Sequence, residues 1–126
     1  MPRLDLAKTV DTPAVEFNPE TGIFCIEGES YPENAMEFYR PVIECLNEFV
    51  SQSHQSLEVN LKMLYFNSSS SKCLLDIFDI LEEYAGKGDR KVKVNWYFQE
   101  DDEDIKESGE DFAEDLNLEF QLIPYT

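Results

Sequence analysis

Histidine is almost missing from this chain. His54 is the only one, and it lies in a polar stretch of Gln and Ser. A Ser-His-Asp arrangement would have to use it, and an exposed loop histidine is the simpler reading. Glycine is scarce, with five in 126 residues. Neither Gly-x-x-x-x-Gly-Lys-Ser/Thr nor Gly-x-Gly-x-x-Gly occurs, so nothing supports a nucleotide-phosphate cradle. Gly86-Lys87-Gly88 follows a helical pattern, the wrong place for a phosphate-binding turn. Cys25, Cys45 and Cys73 are odd in number and widely spaced. They give no disulfide framework and no zinc signature, and read as ordinary partly buried thiols. No apolar run approaches a membrane span, and the N-terminus lacks a signal-peptide core. A cytoplasmic location is the default expectation. Positive charge is short as well: 10 Lys and Arg stand against 27 Asp and Glu, a formal net charge of −17. Nucleic acid and anionic membranes are therefore excluded as natural partners, because their phosphates would be repelled. A basic protein surface fits.

What is present is enough for one folded domain over 1–126. Hydrophobic residues make up 42% of the chain, nine of them phenylalanine, which argues against wholesale disorder. Residues 1–13 read as a loose lead-in. Val15 and Phe17 suggest a strand, Asn18-Pro19-Glu20-Thr21-Gly22 a turn, and Ile23 to Glu27 the return strand of a hairpin. A helix capped near Asn34 follows, with Met36, Tyr39, Ile43, Leu46 and Val50 as its apolar stripe. Pro41 predicts a kinked first turn or a regular helix beginning there. Leu57, Val59, Leu61, Met63 and Tyr65 alternate with polar residues over a strand at 57–66. Leu74, Phe78, Leu81 and Ala85 mark a helix over 71–85, closed by Gly86. Val92, Val94, Trp96 and Phe98 give another strand. The acidic stretch 100–116 reads as a helix anchored by Ile105, Phe112 and Leu116, although Gly109 weakens it. Leu118, Phe120 and Leu122 finish with a strand. The order β-β-α-β-α-β-α-β predicts an α/β fold with a mixed, mainly parallel sheet, an N-terminal hairpin and about three helices. Leu61, Met63, Phe78, Leu81, Val94, Trp96 and Phe120 are its expected core.

The chemistry concentrates at Tyr65-Phe66-Asn67-Ser68-Ser69-Ser70-Ser71-Lys72, where the central strand gives way to a helix. Serine hydroxyls there can accept bonds from the free N–H groups of the first helical turn. The same turn favours an added phosphate, because a helix N-terminus attracts negative charge. Both readings stand: an N-cap, or a phosphorylation switch, with one serine able to cap while another is modified. Asp76 and Asp79 share a helical face nearby. They allow a Mg²⁺ site in principle, but a solvated face is the plainer reading. Glu100 to Asp104 lacks the glycine and the spacing of a calcium loop. No cofactor is implied.

Several motifs together resemble one family. They are Asp11-Thr12-Pro13-Ala14-Val15, Gly28-Glu29-Ser30-Tyr31-Pro32-Glu33-Asn34, the serine-run segment, and Asp76-Ile77-Phe78-Asp79-Ile80-Leu81. In this order and spacing the chain resembles the SiaC family of bacterial regulatory phosphoproteins over nearly its whole length. The resemblance implies a regulator and not a catalyst, with a logic like that of anti-anti-sigma factors. A serine/threonine kinase of the partner-switch type would phosphorylate one hydroxyl, and a PP2C-type phosphatase would remove the phosphate. The unmodified form would bind and activate a GGDEF-type diguanylate cyclase, raising cyclic di-GMP and promoting aggregation or biofilm. The family's target hydroxyl directly follows the asparagine, which places it at Ser68; serine replaces the threonine of a well-known member. Ser69 and Ser70 are alternates. Partner-binding residues on this reading are Asn67, Ser68, Ser69, Asp76 and Asp79. Two other functions compete: an antagonist of an anti-sigma kinase, and a small carboxylate-metal enzyme built on Asp76 and Asp79.

Overall fold

A computed structural model describes residues 3–126. Six strands and three helices follow one another as β1 (Leu4–Leu6), β2 (Ala14–Asn18), β3 (Ile23–Ser30), α1 (Ala35–Gln52), β4 (Leu57–Phe66), α2 (Ser68–Ala85), β5 (Val92–Gln99), α3 (Glu103–Asp115) and β6 (Glu119–Tyr125). The strands form one sheet in sequence order. The pairs β1–β2 and β2–β3 are antiparallel, and β3–β4, β4–β5 and β5–β6 are parallel. The expected mixed α/β domain is thus the one observed, with one strand more. The segment read as a loose lead-in contains β1, whose Leu4 and Leu6 pair with Phe17 and Val15. Three residues are too short a run for alternation to register in the sequence.

Because each parallel crossover steps to the next strand in the same direction, right-handed connections put all the helices on one face of the sheet. The side chains confirm this. Two rows cross all six strands: Leu4, Phe17, Phe24, Val59, Val94 and Phe120, then Leu6, Val15, Ile26, Leu61, Trp96 and Leu122. Both rows are apolar and lie under the helices. Phe49 of α1 meets Phe17, and Phe112 of α3 meets Trp96 and Phe78. The row between them, Asp5, Glu16, Cys25, Asn60, Asn95 and Gln121, is polar and lies on the uncovered face. Period-two alternation alone makes this division.

Six of the seven expected core residues are buried: Leu61, Met63, Phe78, Leu81, Val94 and Trp96. Phe120, on an edge strand, is partly buried against them. The stripe of α1 is turned from its expected position. Its buried residues are Ala35, Tyr39, Val42, Leu46 and Phe49, whereas Met36 is 73% exposed. Ile43, also on the expected stripe, is partly buried against the core and lines a groove with Cys73 and Asp76 of α2. The helix thus has two apolar neighbours, the sheet and α2, and the broader face blurred the stripe. Pro41 neither starts nor breaks α1; Asn34 caps it, accepting from the Glu37 N–H at 3.1 Å.

Gly109 has a packing role. Trp96 donates its indole N–H to the Ile105 carbonyl of α3 at 2.9 Å, which draws the ring onto the helix backbone. A Cβ at 109 would overlap the Trp96 indole and the Leu122 side chain. In an open helix Gly→Ala gains up to about 1 kcal/mol. Here Gly109→Ala should instead destabilise by about 1–3 kcal/mol through overpacking, read by chemical denaturation; a more stable variant would refute the contact. Phe78 is fully buried between Phe112 and Phe120. Phe78→Ala should cost roughly 3–5 kcal/mol in the same assay.

Candidate functional site: the junction of β4 and α2

The end of β4 is shaped by a bulge. Gly28 pairs with Met63 but Glu29 pairs with Tyr65, so Leu64 is an extra residue in β4. One extra residue reverses the alternation beyond it. Tyr65, expected inside, is 51% exposed and stacks edge-on against Tyr31, with ring centres 6.0 Å apart. Phe66 turns inward to Trp96 and Phe112. Gly28 opposite the bulge holds φ at 125°, a region that side chains other than glycine's rarely adopt.

Helix α2 begins at Ser68, three residues before the apolar stripe predicts. Its cap is Asn67, whose side-chain oxygen accepts from the Ser70 N–H at 2.9 Å. The capping reading of the serines is thereby corrected: the asparagine caps, and the serines form the first turn. They divide by direction. Ser68 and Ser69 are exposed. Ser70 is wholly buried, and its Oγ lies 2.8 Å from Ser30 Oγ, which lies 2.7 Å from the Tyr39 hydroxyl. Ser30 also accepts the Asn67 N–H on its carbonyl at 3.0 Å. Burial pushes the Tyr39 phenol up to about 12, against the opposing effect of its bond to Ser30, so this hydroxyl stays neutral. Ser70, an alternate acceptor on the sequence, is thus the serine of the run whose hydroxyl is buried. Sequence reasoning missed Ser30 and Tyr39. The signals available were the buried stripe of α1 and a serine placed at the very end of a strand.

Asp76 and Asp79 are both exposed on α2. Asp76 lines the groove with Met36, Arg40, Ile43, Glu44 and Cys73, a cavity of about 190 Å³. With α2 starting at Ser68, the two acids lie about 12 and about 16 Å along the axis from that residue, at roughly 1.5 Å per residue. They are two and three turns away. The charged side chain one turn from Ser68 is Lys72, also exposed, and residues four apart are neighbours on a helix surface. Among the described residues no group of three His, Cys, Asp or Glu side chains converges on a metal-sized site, so Asp76 and Asp79 gain no further ligands there.

Exposed apolar residues gather on the elements that meet at this junction. They are Tyr31 just beyond β3, Met36 in the first turn of α1, Leu64 and Tyr65 at the end of β4, and Leu75 two turns along α2 from Ser68. Only Val10 and Ile23 among the large exposed hydrophobics of the described residues lie elsewhere. The three thiols lend no nucleophile. Burial raises Cys25, Cys45 and Cys73 above the ordinary range, with nearby acids adding to it: Glu16, Glu58 and Glu27 around Cys25, Glu48 beside Cys45, and Asp76 beside Cys73. Each shift favours the thiol over the thiolate. His54 is exposed in its loop beside Arg90. No helix among the described residues is long and apolar enough to cross a membrane.

These features coincide with those of known proteins. A model of the SiaC family of regulatory phosphoproteins matches residues 6–125. An uncharacterized protein of Pseudomonas aeruginosa (strain UCBPP-PA14) is 36% identical over 122 residues, which cover 97% of this chain and 96% of that protein. The solved structure of SiaC of Pseudomonas aeruginosa superposes with a TM-score of 0.92 at 32% identity, over 99% of this chain and 100% of the other. A chain in the crystal structure of the diguanylate cyclase SiaD in complex with its activator SiaC, from the same organism, matches with a TM-score of 0.92 at 34% identity, over 97% of this chain and 99% of that one. The protein described here belongs to the SiaC family of regulatory phosphoproteins.

Proposed function

We propose that this protein binds and activates a GGDEF-type diguanylate cyclase in its unphosphorylated form, and that phosphorylation of Ser68 releases the cyclase. The observation that carries the proposal is the exposure of Ser68 at the head of α2, on a junction where exposed apolar side chains collect. The similarity to SiaC, which is described as the activator of SiaD, supports a cyclase as the partner. A partner-switch serine/threonine kinase would add the phosphate and a PP2C-type phosphatase would remove it. The chain is then a substrate of enzymes rather than a catalyst. It acts in the cytoplasm and controls cyclic di-GMP, and through it aggregation or biofilm.

The physical logic follows from the surface. Tyr31, Met36, Leu64, Tyr65 and Leu75 offer a partner apolar contact around a small neutral hydroxyl. Asn67, Ser68, Ser69 and Asp76 supply the polar part of the docking face, with Asp79 at its far edge. In phosphorylation, Ser68 Oγ attacks the γ-phosphorus of ATP. The new Oγ–P bond replaces the bond to ADP, and the hydroxyl proton passes to a base of the kinase. The product carries about −1.5 to −2 charges and three strong acceptors. The fold tolerates this, because a helix N-terminus favours negative charge and Lys72 lies four residues along α2 from Ser68. A docked apolar partner does not. Burying an uncompensated charge costs roughly 3–5 kcal/mol, which weakens binding at least about a hundredfold. Asp76 and Asp79 are too far along the helix for their repulsion to drive the release.

Two measurements test the proposal. Incubation with the purified partner-switch kinase and Mg²⁺·ATP, then peptide mapping, should place phosphate on Ser68; phosphate on a distant residue would refute the assignment. Ser68→Ala should activate the cyclase constitutively, even with kinase and ATP present. Its stability should stay within about 0.5 kcal/mol of the parent, because Asn67 and not Ser68 is the cap. Ser68→Asp should activate weakly, though one carboxylate charge mimics the phosphate only in part. Full activation by a folded Ser68→Asp variant, with phosphorylated protein equally active, would contradict the switch.

A further inference from the structure

A run of four serines offers a kinase four chemically identical hydroxyls within little more than one helical turn. Something other than side-chain chemistry must choose among them. We infer that Ser70, held by Ser30 and Tyr39, is the positioning residue that presents Ser68 as the acceptor. The inference rests on the reading of Ser68 as the phosphorylated residue and adds how that residue is selected.

Ser30 grips the first turn of α2 at two points. Its carbonyl takes the Asn67 N–H at 3.0 Å, and its hydroxyl lies 2.8 Å from that of Ser70. Asn67 closes the loop by accepting the Ser70 N–H at 2.9 Å. The Tyr39 hydroxyl, 2.7 Å from Ser30 Oγ, anchors the chain to α1. Ser30, Tyr39 and Ser70 are all 0% exposed, so no water competes for these bonds. Loss of any one leaves its neighbour short of a partner at a buried site.

Fixing Ser70 inward fixes the other serines outward. At about 100° per residue, Ser69 and Ser71 project about 100° to either side of Ser70, and Ser68 projects about 160° away from it. Ser68 therefore stands farthest from the body of the protein. It is also the residue next to Asn67, whose main chain is pinned to β3. Ser71, on the opposite flank, is half-buried. The buried hydroxyl chain thus turns a degenerate sequence into a single exposed choice, with Ser69 the nearest competitor.

The expected signature is a loss of site selectivity that exceeds any loss of stability. In Ser70→Ala, Ser30 keeps its bond to Tyr39, so the variant leaves no isolated hydroxyl in the core. Tyr39→Phe removes the opposite end of the chain without adding volume and serves as the independent second variant. Full-length parent and variants are treated with the purified partner-switch kinase and Mg²⁺·ATP. Fragmentation mass spectrometry measures how phosphate is distributed among residues 68–71, and circular dichroism and denaturation confirm folding. The parent should carry phosphate on Ser68. Ser70→Ala should show about a tenfold fall in the ratio of Ser68 to Ser69 and Ser71 phosphate, the scale of one lost hydrogen bond, and Tyr39→Phe a smaller fall in the same direction. A purely structural role would lower the denaturation midpoint and leave the distribution unchanged. Phosphate confined to Ser68 in whichever of the two variants folds overturns the inference and leaves the Ser68 assignment intact. Phosphate absent from Ser68 in the parent overturns the assignment and the inference together.

Discussion

The bond from the Ser70 N–H to the Asn67 side chain sets where α2 begins, and much of the surface depends on that start. A helix beginning at Ser68 places two serines in solvent and one in the core, brings Lys72 within a turn of the exposed pair, and carries Asp76 and Asp79 well away. Had the helix begun at Ser71, as its apolar stripe predicts, the serines would have formed an irregular loop, with Asp76 little more than one turn from it and Asp79 about two. The cap is a single neutral hydrogen bond, worth about 1 kcal/mol in stability. Its larger effect is on orientation.

The sheet makes this junction available. Of the four parallel strands, β3, β4 and β5 each deliver the chain to the same end of the sheet before a crossover helix. The ends of β3 and β4 and the starts of α1 and α2 therefore meet at one place, as ligand and partner sites do at the carboxyl ends of strands in open α/β sheets. The bulge at Leu64 then supplies the surface chemistry. By reversing the alternation it takes Tyr65 out of the core, sets it against Tyr31, and puts Phe66 inside in its place. Apolar surface is thus exposed beside the helix start without opening the core.

Much of this was legible in the residues. Alternation located the longer strands, and the spacing of Leu74, Phe78 and Leu81 located α2. The motif Tyr65-Phe66-Asn67-Ser68 pointed to the family. What remained hidden depends on contacts between segments far apart in sequence. Nothing near residue 64 announces a bulge, because the register shift is defined by β3. The buried role of Ser70 depends on Ser30, forty residues earlier. Gly109 read as a weak point of α3 until the Trp96 ring lying against it gave the glycine its reason. Met36 read as part of the apolar stripe of α1 because spacing alone cannot distinguish a face turned to the sheet from one turned elsewhere.

The central claim is that one hydroxyl at the head of α2 decides whether a cyclase stays bound. The most direct test is calorimetric titration of the purified cyclase with two preparations of the same chain, one unmodified and one phosphorylated enzymatically at Ser68 to homogeneity. The account predicts tight binding of the first and affinity lower by at least about a hundredfold for the second, with both preparations showing the same circular dichroism. Equal affinities for the two folded forms would contradict it.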